Sequence, residues 1–232
     1  MEDSLGEMQT MLSDMGFRSG QTQIITSLCR DDILNPFHQY VESLWKDTDG
    51  SFRLGGLVGF PTGGATGMGA AMHHAPNTKG PERYLIFAGA HVSIGQNGVF
   101  GDLTRNYRAG NTGACGAALK FLGRLESDPE YKPTPNRADR EQYYAETTLL
   151  KNAASILGHE SRSDRVHALT QHSAKHIDSD LDETLAATGI TKNGTPFALI
   201  LADFLHTPEG LFLQLNKDRS VIQNENGVYS FN

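Results

Sequence analysis

A chain of 232 residues with 38% hydrophobic and 20% charged side chains can bury a sizeable core and has the composition of an ordinary globular protein. Its net charge of −7 sets it against nucleic acid, which selects a basic face, and against an anionic membrane surface. The N-terminus has neither the basic region nor the apolar core of a signal peptide, and no apolar run nears the roughly 20 residues of a bilayer span, so the expectation is a cytoplasmic protein with no nucleic-acid or membrane partner.

Leu5, Met8, Met11, Leu12 and Met15 recur at helical spacing and predict a helix from Ser4 to Met15 whose methionine-rich face suits another subunit. Ile24 to Cys29 reads as a short strand. Asn35-Pro36 reads as an N-cap with proline at the first helical position, opening a helix that runs to Trp45. Leu54 to Phe60 is a second apolar strand. The small, glycine-rich segment 61–71 predicts a loop leading into a helix packed on the sheet, with backbone N–H groups able to cradle an anion. No Lys-Ser/Thr follows, so it is not a Walker A loop. Of the 25 glycines, 17 lie between Gly50 and Gly123, which implies tight turns or close backbone approach there.

Arg83 to Ile94 is the strongest strand, apolar almost throughout, as in a strand buried on both faces. Val99 to Arg108 suggests a strand or hairpin arm, and Thr112 to Glu126 a helix with Cys115 in its first turn. Ala138 to Leu157 and Ser163 to Ala187 read as long amphipathic helices, Pro196 to Leu205 as an apolar strand, and Leu211 to Leu215 and Val221 to Phe231 as antiparallel strands. This alternation predicts an α/β fold with a mostly parallel central sheet flanked by helices. The Pro- and charge-rich stretch Ser127 to Asp139 is the sole weak boundary, so residues 1–232 are read as a single domain.

The chain has two cysteines, Cys29 and Cys115. Buried cysteines often simply fill space, and a reducing cytoplasm disfavours a disulfide between them. His91, at the end of the Arg83–Ile94 run, supplies a third candidate ligand. Two thiolates and an imidazole from separate segments fit a zinc (Zn2+) site whose fourth position stays open to water, the catalytic pattern. Ligands bind at the carboxyl ends of strands in α/β sheets, where Cys29 and His91 are expected, and Cys115 opens a helix. A helix start also lowers a thiol pKa, which suits a metal thiolate and equally a reactive cysteine working without metal. Asp31, two residues past Cys29, can accept the hydrogen bond of a water at the metal or fill the fourth position itself, and a nearby arginine would keep it ionised.

Other polar clusters carry less. His73 and His74 suit hydrogen bonding or proton relay, or a structural role. His172 and His176 share the i, i+4 spacing of metal ligands but lack a zincin's acidic residue, so with His167 they read as a solvated helix face. The acidic run from Asp178 to Glu183 matches no calcium loop. Phe37, Phe60, Tyr84 and Phe87 read as core, with one or two available to line an apolar pocket.

The segments Cys29-Arg30-Asp31-Asp32, Gly59-Phe60-Pro61 through His73-His74-Ala75-Pro76, Gly89-Ala90-His91-Val92-Ser93-Ile94 and Gly113-Ala114-Cys115-Gly116-Ala117-Ala118 together resemble the limiting-carbon-dioxide-inducible B/C family, the theta-class, β-carbonic-anhydrase-like enzymes. The resemblance covers roughly residues 20–125. It implies a β-carbonic-anhydrase-like fold and a homodimer with active sites near the interface. It also implies zinc on Cys29, His91 and Cys115, with Asp31 as the gate carboxylate. Ordinary β-type enzymes have arginine four residues after the first cysteine, where this chain has Ile33; Arg30, Arg105 or Arg108 is the candidate replacement, with Arg30 placed beside Asp31 as a catalytic residue. The implied function is zinc-dependent reversible hydration of carbon dioxide to bicarbonate. The alternatives are a non-catalytic zinc-containing, bicarbonate-responsive or assembly protein of the same fold, and a metal-free thiol enzyme using Cys115.

Overall fold

The computed structural model describes residues 2–46, 50–78, 80–104, 111–192 and 194–231. A first helix, α1 (Glu2–Asp14), buries Leu5 and Leu12 on the chain's own core and leaves Met11 at the surface, so its methionine-rich face is largely used internally. Strand β1 (Thr22–Ser27) follows, buried along its whole length. Next come helix α2 (Asn35–Leu44), strand β2 (Ser51–Arg53) and helix α3 (Gly64–Met72). Strands β3 (Arg83–Ala88), β4 (His91–Ser93), β5 (Leu103–Thr104) and β6 (Asn111–Thr112) lead to helices α4 (Gly116–Ser127), α5 (Arg140–Leu150), α6 (Ala153–Leu157) and α7 (Arg162–Thr188). Strands β7 (Phe197–Thr207), β8 (Gly210–Leu215), β9 (Val221–Asn224) and β10 (Gly227–Ser230) complete the described elements.

Among the described residues the main sheet has eight strands, in the order β10-β9-β7-β3-β1-β2, with β4 and β8 also joined to β7. The centre is parallel: β2, β1, β3 and the first half of β7 run together, and β4 runs parallel to the second half of β7. The strands after β7 are antiparallel. Parallel strands need long crossovers that cover both sheet faces with helices, which explains the unbroken burial of β1 and β3. On one face α2 lies over the sheet, with Phe37 5.5 Å and Trp45 6.3 Å, centroid to centroid, from Phe87. α3, α4, α5 and α6 gather around α7.

Several elements differ from the sequence reading. The run Arg83–Ile94 is not one strand. It breaks at Gly89-Ala90, where a Cβ on Gly89 would sit 1.7 Å from the Ala202 carbonyl oxygen, and β4 then resumes pairing with β7 in the same register. The apolar run Leu54–Phe60 is a buried loop. The amides of Leu54 and Gly55 both donate to the Thr26 carbonyl, and a 3-10 turn occupies Leu57–Gly59. Asn35 does not cap α2. Helical turn begins earlier, at Asp32–Leu34, because the Asp31 carboxylate accepts from the Ile33 amide. The long Ala138–Leu157 helix is two helices, parted where Asn152 leaves helical geometry and accepts from His176 at 2.8 Å.

Candidate metal centre

Three turns meet at the carboxyl end of the parallel strands. Ser27, the last residue of β1, donates through its hydroxyl to the Gly59 carbonyl at 2.9 Å and accepts the Gly89 amide at 3.3 Å. Gly59 has φ 100°, and a Cβ there would lie 2.8 Å from the Gly89 oxygen, so this crossing requires glycine. Cys29 leaves β1 two residues beyond Ser27, and His91 opens β4 two residues beyond Gly89. Ser93, fully buried on the same strand, fixes the third segment: its Oγ accepts the Ala114 amide at 3.1 Å and its own amide donates to the Ala114 carbonyl at 3.2 Å. Cys115, next in the chain, is the N-cap of α4.

Cys29, His91 and Cys115 are therefore brought together from three separate segments. Their ligating atoms all lie within 4.8 Å of one another, and the two sulfurs are 3.5 Å apart. Tetrahedral zinc with Zn–S bonds of about 2.3 Å would place two sulfurs about 3.8 Å apart, so the pair is close to ligating distance. All three residues are 3–4% exposed. His91 Nδ1 is 3.4 Å from His206 Nε2, and the two rings are nearly perpendicular. The other ring nitrogen, Nε2, is buried with no hydrogen-bond partner among the described residues. Leaving such a nitrogen unsatisfied costs on the order of 1–3 kcal/mol, which a metal bond would remove.

The thiols are electrostatically divided. A hydrogen bond from Cys115, followed by the neighbouring His91 ring and the Asp31 amide, pulls the Cys29 thiol well below its ordinary value against the opposing effect of burial. The same hydrogen bond and burial push Cys115 up, while the amides of Ala117 and Ala118 at the α4 start pull it down. One proton thus leaves this pair easily and the second is held, so a metal that needs both thiolates would release that second proton on binding. Donor set, spacing and orphaned imidazole nitrogen all fit zinc.

Beside Cys29 lies a cavity of about 400 Å3, lined also by Thr26, Leu28, Arg30, Asp31, Asn35, His38, Arg53 and Gly55. Asp31 faces it with one oxygen accepting from Ile33 N at 3.3 Å, so the residue at the position of the expected arginine serves Asp31 through its backbone. Arg30 also reaches the cavity, but its guanidinium is 2.7 Å from Glu141, with the arginine side chain 64% exposed. Arg105 and Arg108 lie outside the described residues. His38 is buried, and desolvation, then the Arg53 charge, push its pKa down to about 4, so it is neutral at physiological pH.

His38, Arg53 and His206 did not stand out in the sequence. His206 lies one residue before the end of β7, just past the expected end of that strand at Leu205, and a histidine following the apolar run was the available signal. His73 and His74 are exposed at the end of α3, with His74 6.0 Å from the Phe52 ring, and neither joins the cysteines. His172 and His176 tie α7 to Ser155 and Asn152, and His167 stacks on Phe100 at 4.5 Å. Phe37, Phe60, Tyr84 and Phe87 are fully buried core.

The fold recurs in known structures. PtLCIB4, described as a homolog of the limiting CO2-inducible protein LCIB, superposes with a TM-score of 0.81 at 24% identity, over 99% of this chain and 93% of that one. LCIB itself gives 0.72 at 21% identity, over 98% and 91%. A Coccomyxa β-carbonic anhydrase in complex with acetazolamide gives 0.50 at 13% identity, over 92% and 80%. No curated protein matches the chain in sequence. The profile of the limiting CO2-inducible proteins B/C β-carbonic anhydrases matches residues 1–217, and with the α/β fold and the Cys-His-Cys cluster in place, the chain belongs to that family.

Proposed function

We propose that this protein is a zinc-dependent carbonic anhydrase that reversibly hydrates carbon dioxide to bicarbonate, working as a cytoplasmic homodimer of a single-domain chain. The observation that carries the reading is the buried convergence of two thiols and an imidazole whose Nε2 has no other partner. Zinc bound there supplies a Lewis acid that lowers the pKa of water enough for it to attack carbon dioxide near neutral pH. Cys29, His91 and Cys115 hold the ion. His91, with His206 against its Nδ1, presents a fixed ring nitrogen. Asp31, on the cavity wall beside Cys29, accepts the hydrogen bond that orients the reacting water. Arg30 is the proposed charged partner at the same cavity, its guanidinium held by Glu141.

The test is metal analysis of purified protein together with stopped-flow hydration of carbon dioxide. The expectation is about one zinc per chain, lost in Cys29→Ser, His91→Ala and Cys115→Ser, with hydration activity following the zinc. Wild-type protein without zinc, or full zinc in Cys115→Ser, refutes the site. A second reading, a zinc-containing but non-catalytic bicarbonate-responsive protein, draws on the Arg30–Glu141 pair and on Ile33 standing where an arginine is expected. Zinc-replete protein with no hydration activity selects it.

A further inference from the structure

Strand β8 is an open edge: among the described residues it pairs only with β7. Hydrogen bonds on the two sides of β7 show which way each backbone turns. On one side the Phe204 amide donates to the Ala90 carbonyl and the Ile94 amide donates to the His206 carbonyl, so Phe204 and His206 face β4. On the other the Asn216 amide donates to the Leu201 carbonyl at 2.8 Å, in the register of the β7–β8 pairs. Antiparallel pairs alternate between exchanging hydrogen bonds and not. Gly210, Phe212 and Gln214 therefore bond to β7, while Leu211, Leu213 and Leu215 aim their N–H and C=O outward. Those outward groups have no hydrogen-bond partner among the described residues. Sheet edges are ordinarily guarded by shortness, charge or proline. The other outer strands are short, β2 with three residues ending at Arg53 and β10 with four. The six residues of β8, Gly-Leu-Phe-Leu-Gln-Leu, carry neither charge nor proline. Phe212 is 46% exposed on one face. The three leucines are half-buried on the other, where Phe204, opposite Leu213, packs on Phe37 of α2 at 4.8 Å.

We propose that β8 is an assembly edge on which a second copy of this chain docks, the two β8 strands pairing antiparallel about a two-fold axis at Leu213 and carrying the sheet from one subunit into the next. Such an axis pairs residues whose side chains share a face. Leu213 then meets the partner's Leu213, Leu211 meets the partner's Leu215, and Phe212 meets the partner's Gln214. Each outward leucine exchanges two hydrogen bonds with its opposite, about six in all. The leucines of both copies join in one apolar patch continuous with each core. The flanks select this register. Glu209 and Lys217, both exposed, stand just outside the two ends of β8, and the axis at Leu213 sets Glu209 opposite the partner's Lys217 at each end. An axis at Phe212 would set Glu209 against the partner's Leu215 and lose that charge match. An edge complementary to itself in hydrogen bonds, apolar side chains and charge fits a second copy better than an unrelated strand. The inference concerns assembly and does not depend on the hydration chemistry.

The test is sedimentation velocity of the full chain over a dilution series through the micromolar range, with circular dichroism to confirm the fold. The variants are Leu213→Pro, Glu209→Lys, Lys217→Glu and the double reversal Glu209→Lys/Lys217→Glu. Proline is tolerated on an edge where the lost N–H faces away from the ladder, so Leu213→Pro keeps the β7 pairing and removes the bonds at the axis. It should halve the mass of the assembled species or raise its dissociation constant tenfold or more. Each single reversal should weaken assembly severalfold, and the double reversal should restore it. Folded Leu213→Pro that assembles as wild type refutes the proposal and leaves the homodimer reading to another surface. A double reversal weaker than either single one refutes the axis at Leu213. Should Leu213→Pro fail to fold, the exposed charge pair decides alone, and single reversals that assemble as wild type refute the pairing. Wild-type protein that is monomeric throughout refutes both this edge and the homodimer.

Discussion

Replacing His206 by leucine should weaken zinc binding without unfolding the protein. His206 is 4% exposed at the end of β7, and its Nε2 is 3.4 Å from Nδ1 of the equally buried His91. When His91 Nε2 bonds a metal, Nδ1 carries the ring proton and needs an acceptor, which leucine does not provide. A buried donor left unsatisfied costs about 1–3 kcal/mol. At 1.4 kcal/mol per factor of ten, this is roughly 5- to 150-fold in zinc affinity, in the range found when the outer partner of a metal-binding histidine is removed. The 3.4 Å separation is long for a strong hydrogen bond, which favours the lower part of that range.

The assay is zinc competition against a chromophoric chelator on fully reduced protein at constant pH, with circular dichroism to confirm the fold. His206→Gln, whose amide oxygen can accept, should recover part of the loss. A merely structural role would lower the melting temperature of His206→Leu and His206→Gln alike and leave zinc affinity unchanged in the folded fraction. Wild-type affinity in well-folded His206→Leu would refute the reasoning.

Ser93→Ala removes the acceptor of the buried Ala114 amide, so zinc affinity and melting temperature should both fall, the latter by the equivalent of about 1–3 kcal/mol; an unchanged melting curve counts against the clamp. Asp31→Ala should keep zinc and lose hydration activity on the order of 10²-fold, and full activity in the zinc-replete variant would remove Asp31 from the mechanism. Burial pushes the Asp203 carboxyl up to about 6, above its unfolded value of 3.8. Its contribution to stability is therefore complete below pH 3.8 and lost as pH rises through 6. Asp203→Asn should exceed wild type by on the order of 1–2 kcal/mol at pH 8, discounted for its partial exposure, and by nothing near pH 3; parallel pH–stability curves would show that the carboxyl is not desolvated. Light scattering should give a dimer at micromolar concentration, and a monomer contradicts the homodimer reading.

The parts of the fold legible in the sequence are those with strong periodicity. The helices at 2–14 and 162–188 and the strands at 197–207 and 210–215 lie within two or three residues of the expected ranges. What the sequence obscured were apolar runs that do not pair. Leu54–Phe60 is as apolar as a strand, but its amides are taken by Thr26, by its own turn and by the Glu141 carboxylate, and burial without a ladder leaves no mark in composition. The break at Gly89-Ala90 depends on the Ala202 carbonyl, more than a hundred residues away. Within the site, Cys29, His91 and Cys115 were visible because cysteine is scarce and each stands at the end of an element. His38 and Arg53 were not, because what joins them is the register of β1 against β2 and the face that α2 covers, and neither can be read from spacing along the chain.

The break between β3 and β4 links fold and chemistry. Residues 91–93 keep the register that Tyr84–Ala88 has against Phe197–Leu201, although the strand between them is interrupted. His91 stands opposite Phe204, three positions on from Ala88 opposite Leu201, and only Gly89 and Ala90 drop out of the ladder between them. They do not pair as strand: Gly89 turns its amide to Ser27 of β1, and Ala90 gives its carbonyl to the Phe204 amide. That local departure lets the end of β1 and the turn at Gly59 close on the start of β4, which is where Cys29 and His91 must meet. Two residues later Ser93 grips Ala114 and sets Cys115 at the start of α4. The ligand cluster is thus built by hydrogen bonds that tie the end of β1 to Gly59 and Gly89 and tie β4 to Ala114, so the geometry that would receive a metal is a property of the sheet, its glycines and two serines rather than of the three side chains alone.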